Sequence, residues 1–514
     1  TSITIAGTAM SASLETVRRL NAWAIGEPLA RGNVINMHVA DDEDLFIVSF
    51  LRMGGESRPW GVAYGTIADG PTVLTVPEGR NRQLVADMMA AFAPAILGHF
   101  RHPSYSEDGP AAYSTQPLRQ VWLPGTSHIE MLHFIAAAYA RSTWDRPDIA
   151  VLNALGNLAN CLFIESQRPG QQTIVAATDA LRKSYIFPAT PVRQAHLGYL
   201  LGWLNGGTTR ESRLDAAHAA EKLSVSTVLD PNVERTVLQP LVSVWGSARN
   251  EDNSSLMSET SDDIQTALSD ELTMRWHLAR EAAETIRSDS RSVNAGVESL
   301  RIDTAKSFFR SWGEKALNEL AEVDAFWPNV FTDYGARSAG FAYQLRAAQD
   351  QKALHFLVHG DQELQREELA SGHGVICTIT SVATDSPMWK VSFSYPDLPT
   401  LKHGDKLVIA GTPLIVLEVH EIDFDSHTMM LKPTWKNAKP KAGALGMAPT
   451  SKEWRGKELV LIDEMPYGID ERRATMTHRK KTSGSDITDL IVARPRRHAA
   501  LDDDGPVLAS GDDQ

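Results

Sequence analysis

The sequence has little cysteine, and it lacks an apolar run long enough to cross a bilayer. Its two cysteines, Cys161 and Cys377, are far apart in the chain and lie in apolar surroundings. A disulfide framework or a cysteine-based zinc site needs more cysteines at closer spacing, so we predict two buried, inert thiols. The longest apolar run, Met88 to Leu97, is about half of the ~20 residues that span a bilayer. These absences, together with an N-terminus that lacks a secretory signal, predict a cytoplasmic protein with no membrane association.

The signatures of nucleotide hydrolysis and of covalent catalysis are also missing. LVLIDE, Leu459 to Glu464, resembles the acidic strand that holds magnesium in P-loop ATPases, but no GxxxxGK[ST] phosphate loop accompanies it. We therefore predict that Asp463 and Glu464 form an ordinary strand end. The sequence contains neither a G-x-S-x-G elbow nor an S-x-x-K motif with its companions.

The histidine spacing gives no metal signature in HIEMLH. His128 and His133 are five residues apart, whereas two ligands on one helix face need a spacing of four. We predict that His128 lies on the surface and that His133 packs in a helix. From all these absences we expect no cofactor, no metal site and no catalytic residue, and we favour a protein that is not an enzyme.

The sequence does contain enough apolar material for a sizeable core, because 43% of its 514 residues are hydrophobic and 22% are charged. This length predicts about three or four domains. The fold that we predict is a multidomain α+β fold, with an N-terminal antiparallel sheet and helix, a central all-α region, a small five-stranded β-barrel and a disordered tail. The predicted parts are an α+β domain at 1–105, a helical domain at 118–246, a linker at 247–263, stalk-like amphipathic helices at 264–370, the barrel at 371–435 and the tail at 436–514.

The barrel prediction depends on a change of hydrophobic period. Trp389 to Tyr395 alternates apolar and polar residues, and four more short apolar runs follow or precede it: GVICTITSV, DKLVIA, PLIVLEVHEI and HTMMLKP. Turn residues separate the runs. Because five short strands leave exposed edges, closure into a barrel is the expected solution.

Charge is unevenly distributed along the chain. The formal net charge is −14, yet Lys432 to Arg497 contains 15 Lys and Arg against 8 Asp and Glu, and the last 17 residues contain five Asp and no Lys or Arg. Cations along a segment can follow a phosphate backbone, and an adjoining aromatic ring can stack on a base. A solvated rim with a tryptophan packed on the barrel explains the same pattern equally well. The candidate nucleic-acid contacts are Lys390, Lys402, Lys406, Lys432, Trp435, Lys436, Lys439, Lys441, Arg479, Lys480, Lys481, Arg494, Arg496 and Arg497.

Residues from about 360 to 435 resemble the stalk and β-barrel of superfamily-one helicases of the nonsense-mediated-decay type. The shared features are a helix that ends near Leu369-x-x-Gly372, a Gly404-Asp405 pair before an apolar strand, and a final strand pair. In that family such a barrel precedes the ATP-binding motor core and contacts nucleic acid. The phosphate loop that should follow is absent here, so the resemblance implies either an accessory half whose motor is a separate chain or a relative that lacks the motor.

Three functional hypotheses follow from the sequence. The first is a non-catalytic accessory protein that binds DNA or RNA and works with a helicase or nuclease on a separate chain. This hypothesis predicts that nucleic-acid binding is lost when residues 432–514 are removed. The second is a protein–protein interaction scaffold that does not bind nucleic acid. The third is an enzyme with an unrecognised site in the N-terminal α+β domain.

Overall fold

The computed structural model describes residues 15–100, 118–312, 349, 352–382, 388–410, 412–434, 456 and 458–464. These residues form a mixed α+β structure. We call the part up to residue 312 the body, and we call the sheet that begins at Gly374 the barrel. A helix whose described part is residues 352–358 and a short helix, Gln362–Ala370, precede the barrel.

The strands are β1 Leu29–Ala30, β2 Val34–Ile35, β3 Leu45–Leu51, β4 Gly61–Thr66, β5 Thr72–Thr75, β6 Gln120–Leu123, β7 Ile174–Ala176, β8 Tyr185–Ile186, β9 Ser292–Val293, β10 Gly374–Val382, β11 Trp389–Tyr395, β12 Lys406–Ile409, β13 Thr412–Asp423, β14 Thr428–Thr434 and β15 Glu458–Asp463.

The helices are α1 at residues 15–25, α2 Arg82–Phe100, α3 Thr126–Tyr139, α4 Ile149–Ser166, α5 Ala177–Ser184, α6 Leu197–Asn205, α7 Arg210–Glu221, α8 Gln239–Asn250, α9 Ser254–Arg287, α10 Ala295–Trp312, α11 at residues 352–358 and α12 Gln362–Ala370, with short helical turns at Arg193–Ala195, Pro231–Val233 and Glu234–Leu238.

The body is built on a mixed five-stranded sheet in the order β5-β4-β3-β6-β7. Strands β3, β4 and β5 form the expected antiparallel meander, but β6 and β7 run parallel to β3. The predicted N-terminal antiparallel sheet is therefore present as β3 to β5, but it is part of a larger mixed sheet. Both parallel strands come from the segment expected to be all-α, where each is only a few residues long and lies between helices. The sheet thus joins the first two predicted domains into one unit.

Helices cover both faces of this sheet because the central strand β3 is buried on both sides. Phe46, Val48 and Phe50 face the core formed with α2, α3 and α4. Leu45 and Ile47 face a second core, formed with α5, α6 and α9. Helices α2 and α4 are long and apolar enough to span a membrane by length and composition alone, but most of their residues pack into the first core.

The segment predicted as a linker is mostly helical. Helix α8 ends at Asn250, and α9 begins at Ser254 after a short turn in which the side chain of Asn253 accepts a hydrogen bond from the backbone N–H of Leu256 at 3.2 Å. The Ser, Asp and Glu residues that suggested a linker mostly occupy the solvent-facing side of the first turns of α9. Farther along, α9 lies against the sheet, where the indole N–H of Trp276 donates to the carbonyl of Ile47 at 3.2 Å.

The barrel is closed and antiparallel, with six strands in the order β10-β11-β14-β13-β12-β15. A small barrel was correctly predicted, but the expected count of five strands was wrong. The sixth strand, β15, comes from the segment assigned to the tail, and it closes the barrel by pairing with β10 and β12. Its Leu461 is fully buried and lies opposite Val375 on one side and Ile409 on the other.

The two cysteines are buried as predicted. Cys161 lies in α4 and Cys377 in β10, and neither forms a disulfide bond. Burial raises the pKa of each thiol to about 12, so both are protonated at neutral pH.

Candidate nucleic-acid interface

Four of the predicted contact residues fall among the described residues. Lys390, Lys402, Lys406 and Lys432 all lie on the barrel or its loops, and all four are exposed. The other ten lie outside the described residues: Trp435, Lys436, Lys439, Lys441, Arg479, Lys480, Lys481, Arg494, Arg496 and Arg497.

Lys406 and Lys432 lie on either side of Glu418 on the outer surface of the barrel. Lys406 of β12 is directly opposite Glu418 of β13, and Glu418 is directly opposite Lys432 of β14. Directly opposed side chains in an antiparallel pair have Cβ atoms about 4.5–5.5 Å apart. The register therefore produces a short row of positive, negative and positive charge across three neighbouring strands.

Lys390 extends this row onto a fourth strand. It lies on β11 opposite Met430, which is two residues before Lys432 on β14. Because side chains two residues apart share a face of a strand, Lys390 and Lys432 both point away from the barrel core. We call Lys390, Lys406 and Lys432 the lysine face.

Lys402 lies apart from the lysine face, in the loop between β11 and β12. Its backbone N–H donates to the carboxylate of Asp405 at 2.7 Å, and the backbone N–H of Gly404 donates to the carbonyl of Val419 at 2.7 Å. The loop is thereby fixed against β13, while the ammonium group of Lys402 remains exposed.

The lysine face is surrounded by carboxylates that do not contact it. Within the described part of the chain, none of its three lysines has a carboxylate oxygen within the 4.0 Å of an ion pair. The described residues from 371 to 464 nevertheless include four lysines and nine Asp or Glu residues. The lysines are thus available to an external anion, but the described barrel surface as a whole is acidic.

Asp463 and Glu464 form a strand end, as predicted. The backbone N–H of Asp463 donates to the carbonyl of His373 at 3.1 Å, and that of Glu464 donates to the carbonyl of Lys406 at 2.6 Å. Partial burial raises the pKa of Asp463 to about 6, with a smaller contribution from Asp405. These bonds anchor the end of β15 to the barrel.

The two histidines of HIEMLH have the opposite positions to those predicted. His128 is fully buried, whereas His133 is exposed and stacks on Phe163 with ring centroids 4.7 Å apart. The backbone N–H of Phe50 donates to His128 Nδ1 at 3.0 Å, so the proton is on Nε2, which donates to the carbonyl of Val225 at 3.1 Å. Burial lowers the pKa of His128 to about 3. This neutral imidazole connects the sheet to the loop after α7.

The sequence analysis missed one pair of histidines that does have the spacing required for a metal. His355 and His359 are four residues apart, and their Nε2 atoms are 3.3 Å apart. The H-x-x-x-H pattern was visible in the sequence and would have identified them. In the described residues, no group of three or more His, Cys, Asp or Glu side chains is arranged to hold a metal.

Comparisons with known proteins identify no relative for this chain. No protein-family model matches it, and neither a curated protein sequence nor a solved structure is significantly similar to it. The resemblance of residues 360–435 to the helicase stalk and barrel therefore stays a prediction.

Proposed function

We propose that this chain binds nucleic acid through the outer surface of its barrel and that it acts as a non-catalytic partner of a helicase or nuclease on a separate chain. The observation that carries the proposal is the lysine face, where three exposed lysines on three of four neighbouring strands lack a carboxylate within ion-pair distance among the described residues. Ammonium groups that form no close ion pair can exchange their counterions for phosphates.

The strand order adds sequence support to this proposal. Strands β14 and β15 both belong to the barrel, and the sequence between them, 435–457, contains six Lys or Arg, one Glu and two Trp. These cations therefore belong to a connection whose two ends are attached to the barrel, and β14 is the strand that carries Lys432. Positive charge beside aromatic rings is the composition of sequence-tolerant single-strand binders.

The closed barrel changes the experiment that tests this function. Deletion of residues 432–514 would remove β15 and the end of β14, so loss of binding would follow from loss of the barrel. Substitutions avoid this problem. We suggest three variants: Lys406→Ala/Lys432→Ala on the lysine face, Lys436→Ala/Lys439→Ala/Lys441→Ala in the connection, and Arg479→Ala/Lys480→Ala/Lys481→Ala nearer the C-terminus.

Fluorescence anisotropy measures binding of each variant to a labelled single-stranded oligonucleotide of about 20 nucleotides, longer than the ~4–16 nucleotides that one small barrel covers. We expect the first two variants to weaken binding at low salt and the third to have the smallest effect. The matched control is Lys183→Ala/Lys222→Ala, which removes two exposed body lysines. Absence of binding by the unsubstituted chain at low salt would reject the proposal.

A second candidate function, protein–protein interaction, is favoured by the surface of α1. Val17, Leu20 and Ile25 are 61%, 64% and 54% exposed, which is unusual for three apolar side chains on one short helix. If this surface binds a protein partner, Leu20→Glu should abolish a pull-down that resists both nuclease and high salt. An unchanged pull-down would eliminate this surface as the site of contact.

A further inference from the structure

Two histidines meet where the body joins the barrel. His355 lies on α11, and His359 lies in the turn that follows this helix. Their Nε2 atoms are 3.3 Å apart, and their ring centroids are 4.7 Å apart with an angle of 89° between the planes. A spacing of four residues places both side chains on one side of the helix, so the two ring edges converge.

The distance between the two nitrogens is the one that a bound metal would impose. Zinc–imidazole bonds are about 2.0–2.1 Å long, and two such bonds at a tetrahedral angle place their nitrogen atoms about 3.3 Å apart. The observed separation is slightly longer than the ~2.7–3.2 Å typical of hydrogen bonds donated by N–H groups. The two nitrogens therefore already have the spacing that a chelated ion needs, and the proton of their present hydrogen bond would move to the Nδ1 of that ring when the ion binds.

The backbone that carries the pair is fixed from two directions. From the body, the side-chain amide of Asn294 donates to the carbonyl of Leu357 at 2.7 Å. From α12, the side-chain amide of Gln365 donates to the carbonyl of Val358 at 2.8 Å, and the side chain of Val358 packs against barrel residues that include Ile462. A rigid backbone lowers the entropic cost of bringing both ligands to one ion.

We propose that His355 and His359 chelate a divalent transition-metal ion of the zinc type at the junction of body and barrel. Imidazole ligands suit zinc, copper and nickel rather than magnesium or calcium. Because the described residues supply no group of three or more His, Cys, Asp or Glu side chains, the described part of the chain provides two ligands, and the affinity that these two confer should be below that of a closed four-ligand site. The bound ion would hold the turn after α11 in place.

Isothermal titration of the full-length, untagged chain with zinc chloride tests this proposal. We expect one saturable site per chain and at least a tenfold loss of affinity in both His355→Gln and His359→Gln, because each substitution removes one of two protein ligands. The matched control is His403→Gln, since His403 also lies beside another histidine, with ring centroids 5.6 Å apart, but its Nδ1 bonds the carbonyl of His420 at 2.6 Å. Zinc binding by this control should equal that of the unsubstituted chain.

A second measurement uses only the unsubstituted chain, so it does not depend on whether a variant folds. Carbethoxylation of the unsubstituted chain, mapped by mass spectrometry, should be slowed by zinc at His355 and His359 but not at the exposed His133. Absence of saturable binding, unchanged binding in both glutamine variants, or equal protection of all three histidines would overturn the proposal and leave the pair as a hydrogen-bonded contact.

Discussion

The body and the barrel use positive charge in opposite ways. In the body, arginines are held by carboxylates of the same chain: Arg146 is 2.7 Å from Asp148, and the fully buried Arg275 is 2.6 Å from Glu271. On the barrel, Lys390, Lys406 and Lys432 form no such pair within the described residues. These body arginines therefore stabilise the fold of the chain itself, whereas the three barrel lysines are presented to solvent. This difference is the physical basis of the proposed function.

The largest expected effect tests whether β15 is part of the barrel. Leu461→Asp would place a charge between β10 and β12 in the barrel core, and we expect it to destabilise the barrel by more than about 4 kcal/mol. Differential scanning calorimetry should show loss of the barrel transition while the body still unfolds cooperatively. The exposed Glu458→Ala on the same strand is the control and should change stability by less than about 0.5 kcal/mol. Equal behaviour of the two variants would show that β15 does not close the barrel.

A somewhat smaller effect is expected from a substitution in the body. His128→Ala leaves the backbone N–H of Phe50 and the carbonyl of Val225 without the imidazole that they share. Each unsatisfied buried group costs about 1–3 kcal/mol, so we expect a loss of about 4 kcal/mol in the free energy of unfolding. Urea denaturation measures this loss. The exposed His133→Ala should be close to neutral, and a neutral His128→Ala would contradict the assigned hydrogen bonds.

The sequence predicted the parts of the fold that have a local signature. The alternation from Trp389 to Tyr395 predicted a barrel strand, and amphipathic spacing predicted the helices of the body. The place of β15 in the barrel was missed because its partners β10 and β12 are distant in sequence, so that no local pattern connects them. Strands β6 and β7 are too short to show a period. The pairing of strands that are distant in sequence depends on contacts throughout the core, and a local sequence pattern carries no information about those contacts.

The candidate site was predictable only in part. The sequence identified Lys390, Lys406 and Lys432 as candidates, but it could not show that strand register places them around Glu418. The sequence indicated a strand end at Asp463 and Glu464 but assigned this apolar patch to the tail rather than to the barrel. In the structure this patch is β15, which makes residues 435–457 a connection within the barrel.

The pH dependence of stability gives a second prediction for the body. Glu165 is 3% exposed, and burial raises its pKa to about 7, although the nearby Arg168 opposes the shift. The folded state therefore binds this proton at pH values where the unfolded carboxyl, with a pKa near 4.5, has lost it. By linkage, this contribution to the free energy of unfolding is fully present below pH 4.5 and is lost as the pH rises through 7. The loss amounts to at most about 3 kcal/mol.

Thermal unfolding of Glu165→Gln, followed from pH 5 to pH 8, measures this contribution. We expect the unsubstituted chain to lose stability relative to the variant as the pH rises. Parallel curves over the whole range would show that Glu165 ionises in the folded protein as it does in the unfolded chain.

The smallest expected effect concerns the carboxylate between the two barrel lysines. Glu418→Gln removes the negative charge opposite Lys406 and Lys432 and retains the shape of the side chain. We expect it to raise nucleic-acid affinity by about two- to fivefold, because a like charge no longer repels the phosphates, and to change stability by less than about 0.5 kcal/mol. Anisotropy titration at low salt measures the gain. Weaker binding by the variant would indicate that Glu418 itself contacts the ligand.

The salt dependence of binding tests the central claim most directly. Each phosphate contact adds about 0.7 to the slope of log affinity against log salt for a single strand. If the lysine face contacts phosphates, Lys406→Ala/Lys432→Ala should reduce the slope by about 1.4, whereas Lys183→Ala/Lys222→Ala on the body should leave it unchanged. Equal slopes for the unsubstituted chain and both double variants would show that the barrel lysines do not contact nucleic acid.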